Sequence, residues 1–128
     1  MATVRRNILI VDDHADMVQT LKNIFAAHGY DADVAMNGAE AVRKAEEKQY
    51  AVVLTDLVME GLDGVDTIRK IKDIQPRTIF FLMTAYPSEH RVQDAMASGV
   101  IKIFKKPFNI VKVCQSIDEE IAKADASS

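Results

Sequence analysis

Tryptophan is missing from these 128 residues, cysteine occurs once and proline three times. The single cysteine, Cys114, excludes an intrachain disulfide and fits a reducing compartment; set in an apolar helical pattern, it reads as a small packed hydrophobe. Histidine is nearly as scarce, and His14, His28 and His90 do not have the arrangement of a zinc site. His14 and His90 read as solvated helix residues. Long apolar runs are absent too. The opening Met1-Ala2-Thr3-Val4-Arg5-Arg6-Asn7 leads only into the short run Ile8 to Val11, which is too brief for a signal-peptide core or a membrane span. These absences point to the cytoplasm. Nor does one sign of charge dominate: 16 Lys+Arg face 19 Asp+Glu and the pI is near 5.6, which argues against a nucleic-acid surface of the chain's own. No internal repeat, low-complexity tract or linker interrupts the chain.

What is present is a regular alternation. Strand-like apolar runs recur at Ile8 to Val11, Tyr30 to Ala35, Val52 to Thr55, Thr78 to Met83 and Ile101 to Phe104, separated by stretches with helical spacing. Met17, Leu21, Ile24 and Phe25 share one face of the first helix, which Asp13 or His14 opens and Gly29 closes. Asn37 and Asp63 stand as N-caps of the second and third helices, and Pro76 stops the third. The fourth follows Pro87-Ser88 and ends at Gly99. The fifth begins at Asn109 and gives way to a fraying tail, Ala124 to Ser128. Five βα units of this length make one domain over residues 1–128, with a core over about residues 7–123. Val52-Val53-Leu54 is apolar on both faces, like a central parallel strand, whereas Tyr30-Asp31-Ala32-Asp33-Val34 alternates like an edge. Right-handed crossovers then give a three-layer, doubly wound α/β sandwich with strand order 2-1-3-4-5.

In that order the first and third strands flank the switch point, so Asp12, Asp13 and Asp56 emerge together. Two unit charges about 5 Å apart repel by roughly 3 kcal/mol at an effective dielectric near 20, so three clustered carboxylates need a proton or a cation. All-oxygen ligation selects a hard divalent ion, Mg²⁺ or Mn²⁺, with the backbone carbonyl of Val58 as a further donor. A carboxylate beside such an ion can attack phosphorus, with a hydroxyl and an ammonium to meet the developing charge. Asp56, at the end of the most buried strand, is the best nucleophile; Thr84 and Lys106 supply the hydroxyl and the charge. Each has a plainer reading alone: Asp13 as a helix cap, Asp56 as a turn residue, Thr84 and Lys106 as surface groups. Their coincidence at strand ends is the argument.

With these residues in place, the chain resembles the receiver domain of bacterial two-component response regulators. The match runs from Ile8-Leu9-Ile10-Val11-Asp12-Asp13 through Asp56-Leu57-Val58-Met59-Glu60-Gly61-Leu62-Asp63-Gly64 and Thr84-Ala85 to Lys106-Pro107-Phe108. The resemblance implies a flavodoxin-like (βα)5 fold and a cytoplasmic phosphoacceptor switch. Asp56 would take a phosphoryl group from a sensor histidine kinase or a phosphotransfer protein, Asp12 and Asp13 would help to bind Mg²⁺, and Thr84 and Lys106 would contact phosphate. It selects Lys106 over Lys105 because Lys106 directly precedes Pro107, and it implies a cis Lys106–Pro107 peptide. Such a protein catalyses its own modification and slow dephosphorylation without being primarily an enzyme. Its output runs through an unidentified downstream protein or a second copy of the chain, with no direct nucleic-acid or membrane contact.

The chain departs from the family pattern at three places. Ile103 stands where a switch aromatic is usual, and Phe104 beside it should face the other side of the sheet. Glu60 replaces a common proline. Val58 and Tyr86, each two residues beyond a site residue, flank the path of an attacking water without an acid or amide to orient it, which implies a long-lived phosphoryl group. Two other classes remain distinct. A phosphohydrolase would want an acid where Val58 stands, and a module that is never phosphorylated would lack one of the site acids.

Overall fold

The structure is a computed structural model that describes residues 6–127. Residues 1–5, which carry most of the polar start, and residue 128 lie outside the described residues. Strands and helices alternate as β1 (Asn7–Val11), α1 (Ala15–Ala27), β2 (Asp31–Ala35), α2 (Gly38–Glu47), β3 (Val52–Asp56), α3 (Gly64–Ile74), β4 (Ile79–Thr84), α4 (Glu89–Ala97), β5 (Val100–Lys105) and α5 (Ile110–Ser127). The strands are parallel throughout, in the expected order β2-β1-β3-β4-β5. Among the described residues no helix is long and apolar enough to cross a membrane.

Side chains that alternate along each strand feed two separate cores, one on each face of the sheet. Ile8, Ile10, Leu54, Phe81 and Phe104 pack with Leu21 and Phe25 of α1 and with Val113, Cys114 and Ile117 of α5. Leu9, Val11, Val53, Phe80 and Leu82 pack with Ala41 and Ala45 of α2, Ile68 and Ile71 of α3 and Ala95 of α4. Full burial of one such aliphatic or aromatic side chain contributes about 1.5–3 kcal/mol, so the double-sided β1 and β3 anchor the molecule. Cys114 is a buried free thiol within the first of these cores.

The helix starts follow the local chemistry. Asn37 accepts the Glu40 amide at 2.8 Å, Asp63 the Asp66 amide at 2.9 Å and Ser88 the Arg91 amide at 3.3 Å. Asn109 accepts the Val111 amide at 3.0 Å ahead of α5. Small residues let α2 and α3 approach closely: a Cβ on Gly38 would stand 2.3 Å from the Thr67 hydroxyl oxygen. The Tyr30 hydroxyl donates to Asp118, and Arg6 pairs with the same carboxylate at 3.1 Å, fastening the start of β1 to α5.

Several element ends differ from expectation. β2 begins at Asp31 because its first partner is Asn7, leaving Tyr30 as a buried residue just ahead of the strand. Thr84 pairs with Lys105 and Phe80 with Val100, which shifts the end of β4 to Thr84 and extends β5 beyond its apolar run at both ends. The segment from Ala124, expected to fray, continues α5 through Ser127; alanine is the strongest helix former, and Ala122, Ala124 and Ala126 carry the helix onward.

Candidate functional site

Strand register brings the predicted residues to one edge. Val11 pairs with Thr55, Asp56 with Met83 and Thr84 with Lys105, so the chain leaves β1, β3, β4 and β5 at the same level. Asp12, immediately after β1, is fully buried; its amide donates to the Ala35 carbonyl at 3.2 Å. Asp56 and Thr84 are the last residues of β3 and β4, and both are buried. Beyond β5, the Lys106 amide donates to the Thr84 carbonyl at 2.8 Å, and this bond turns its side chain back over the strand ends. The Lys106–Pro107 peptide is cis. Lys105, by contrast, is exposed.

The Lys106 ammonium spans the acids: Nζ lies 2.9 Å from Asp12 Oδ2 and 3.5 Å from Asp56 Oδ2. The two carboxyls respond in opposite directions. Burial raises the pKa of Asp12, but hydrogen bonds from Lys106 and His14 outweigh it and hold the carboxyl below the usual aspartate range. Asp56 is pushed above that range by burial, then by the charge of Asp12; Lys106, at the longer distance, compensates only in part. One ammonium therefore leaves this cluster short of positive charge.

The donors suit a divalent cation. One ligand atom from each of Asp12, Asp13, His14 and Asp56 lies within 4.8 Å of the others. Hard carboxylate oxygens in that number fit Mg²⁺-like chemistry, and the residual repulsion on Asp56 is what such an ion would relieve. Beside them lies a cavity of about 170 Å³ lined by His14, Asp56, Val58, Thr84, Ala85, Tyr86 and Lys106. The Thr84 hydroxyl accepts the Tyr86 amide at 3.2 Å, closing a two-residue turn after β4. Tyr86 is 82% exposed and Val58 53% exposed, so both stand at the cavity mouth.

His14 was not singled out as part of the site from sequence. Its ring is largely exposed, as expected, and of the two residues offered as openers of the first helix it is the one at the N-cap of α1, although it makes no side-chain cap bond. Instead Nδ1 turns to Asp12 Oδ1 at 2.8 Å and Asp13 Oδ1 at 3.2 Å. The available signal was a histidine immediately after paired acids. Ile103 packs with the core beneath α2, α3 and α4, whereas Phe104 faces α1 and α5, as strand alternation predicts. There Phe104 stacks on Phe81 with centroids 5.6 Å apart and meets Phe108 at 6.4 Å.

Comparison with known proteins agrees with this geometry. Residues 8–118 match the family model of the response regulator receiver domain. The chain is 33% identical to the chemotaxis protein CheY of Thermotoga maritima over 115 residues, 89% of this chain and 96% of that protein. Transcriptional regulatory proteins also match, and the chain spans about a quarter of the length of those curated relatives. A CheY-like receiver structure from Methanospirillum hungatei superposes with a TM-score of 0.93 at 22% identity, covering 97% of this chain and 99% of that one. The response regulator TrrA of Thermotoga maritima, solved with Mg²⁺ and BeF, has a TM-score of 0.79 at 28% identity, covering 89% of this chain and 97% of that one. With its acids, hydroxyl and lysine gathered at the carboxyl edge of a (βα)5 sheet, the chain belongs to the family of response regulator receiver domains, the phosphoacceptor modules of two-component signalling.

Proposed function

We propose that Asp56 is the phosphoacceptor, that Asp12, Asp13, Asp56 and the Val58 carbonyl hold Mg²⁺, and that Thr84 and Lys106 receive the phosphoryl oxygens. The observation that carries this reading is the Lys106 ammonium set between Asp12 and Asp56 over the cavity. Receiver domains take phosphoryl groups from histidine kinases. An Asp56 oxygen attacks the phosphorus of a phosphohistidine in line, the P–N bond breaks and the imidazole nitrogen recovers a proton. Lys106 slides from the carboxylates to an equatorial oxygen. Thr84, whose oxygen already accepts the Tyr86 amide, has its O–H left to donate to another. Held by these groups, Mg²⁺ or Mn²⁺ would supply positive charge against that developing on the phosphoryl oxygens.

Residues 1–128 act in this reading as one receiver unit in the cytoplasm, a compartment that suits the reduced Cys114. The donor is a sensor histidine kinase or a phosphotransfer protein. Phosphorylation shifts the equilibrium of the α4, β5 and α5 surface, through an aliphatic rearrangement at Ile103, toward a downstream protein or a second copy of the chain. Turnover is self-catalysed and slow, because Val58 and Tyr86 offer an attacking water neither acid nor amide.

Intact mass after incubation with acetyl phosphate and Mg²⁺ tests the reading. A gain of one phosphoryl group is expected, abolished by EDTA and by Asp56→Asn. Absence of the adduct on folded protein that binds Mg²⁺ would overturn the acceptor assignment. A half-life of seconds in Mg²⁺ would overturn the slow hydrolysis.

A further inference from the structure

The site holds one donor that its all-oxygen chemistry leaves unused. We propose that His14 is a fourth side-chain ligand of the divalent ion, and that it shifts the preference of the site from Mg²⁺ toward nitrogen-binding first-row ions such as Co²⁺ and Zn²⁺. This rests on the reading of Asp12, Asp13 and Asp56 as a metal site.

The geometry comes first. His14 Nδ1 lies 2.8 Å from an Asp12 oxygen and 3.2 Å from an Asp13 oxygen, and the ligand atoms of the four residues all fall within 4.8 Å of one another. Around an ion with bonds of about 2.1 Å, neighbouring donors stand about 3 Å apart and opposite donors about 4.2 Å, so the observed spread closes onto one ion with small rotations. Local structure explains why the ring is there. At the N-cap of α1 a side chain ordinarily turns back to the helix amides, but His14 makes no such bond. Its own amide donates to Asp12 Oδ1 at 3.0 Å, a contact that draws the residue toward the acids. The ring also lines the cavity with Asp56 and Lys106, and it is largely exposed to solvent.

Chemistry then decides which ion gains. Mg²⁺ binds oxygen and keeps its waters, so replacing one by imidazole brings it little. Imidazole suits Co²⁺, Ni²⁺ and Zn²⁺, whose affinities for nitrogen sites rise along the Irving–Williams order. A receiver with this donor set therefore discriminates between divalent ions more sharply than its carboxylates alone would.

The test compares the wild-type chain with His14→Asn, which places a favourable residue at the N-cap and removes the imidazole. Calorimetric titration with Co²⁺ and with Mg²⁺ should show the Co²⁺-to-Mg²⁺ affinity ratio falling at least tenfold in the variant. The ratio is diagnostic, because losing the pairing of His14 with Asp12 and Asp13 changes the affinity for every dication alike. Pulsed EPR of bound Mn²⁺ should show nitrogen coupling in the wild type and none in His14→Asn. An unchanged ratio, or Mn²⁺ bound without nitrogen coupling, overturns the role of His14 and leaves the carboxylate site standing. Failure of the wild type to bind any of these ions overturns both.

Discussion

Lys106 serves two acids that it cannot satisfy equally, and much of the chemistry of the site follows from that imbalance. Its shorter contact is to fully buried Asp12, its longer one to Asp56. Removing one partner of a buried pair leaves an uncompensated charge, at a cost of about 3–5 kcal/mol. Lys106→Met should lose about that much stability in EDTA at neutral pH, with partial recovery in Mg²⁺; urea unfolding with and without the ion checks it. The pH dependence separates the two acids. Asp12, held below its ordinary value of 3.8, contributes stability that is complete above that value and is lost as the pH falls through its lowered one. Asp56, pushed above 3.8, acts in reverse: the folded protein binds its proton more tightly than the unfolded chain, so stability falls as the pH rises from 3.8 through the raised value. In EDTA, Asp56→Asn should abolish this second loss and keep the acid-side loss. Urea midpoints measured across that range decide it, and a decline toward neutral pH that persists in Asp56→Asn would refute the assignment.

At the scale of elements, the βα alternation was legible because burial on both faces produces unbroken apolar runs while an edge strand alternates. Val52-Val53-Leu54 and Asp31-Ala32-Asp33 show the two patterns side by side. The ends of β4 and β5 were not legible, since pairing across the sheet sets them and a single strand does not display its partner's register. Asp56 and Thr84 stood out because each ends an apolar run, and Lys106 because it precedes Pro107. The place of His14 beside Asp12 and Asp13 did not stand out, because nothing in its sequence neighbours fixes which way its ring turns. Gly64 belongs to this scale as well. A Cβ there would lie 2.4 Å from the Asp56 carbonyl oxygen and 2.9 Å from the Leu57 Cα, both backbone positions unable to yield. Gly64→Ala should therefore destabilise the fold by about 1–3 kcal/mol through overpacking and move the loop after β3. A lower urea midpoint together with slower acyl-phosphate formation is expected, and wild-type values for both would exclude the clash.

Across the whole molecule, buried strands deliver the reactive groups to one edge, but the two halves of that edge are not equally constrained. On the β3 side the Leu57 amide donates to Met83 at 3.0 Å and the Gly64 amide to Leu57 at 2.9 Å, with the start of α3 pressed against Asp56. On the β4 side Ala85, Tyr86, Pro87 and Ser88 are all exposed. The proposed acceptor thus rests on an anvil, and a rim that can yield hangs over it. Amide hydrogen exchange should show this as a step: slow exchange at Leu57 and Gly64, fast exchange at Ala85 and Ser88, and, under the proposed phosphorylation of Asp56, added protection at the rim but none at Leu57 or Gly64. Matching protection on both sides would mean that the acceptor strand itself gives way. If the step is present, the work of charging Asp56 is delivered in one direction only, toward the surface that a partner can touch.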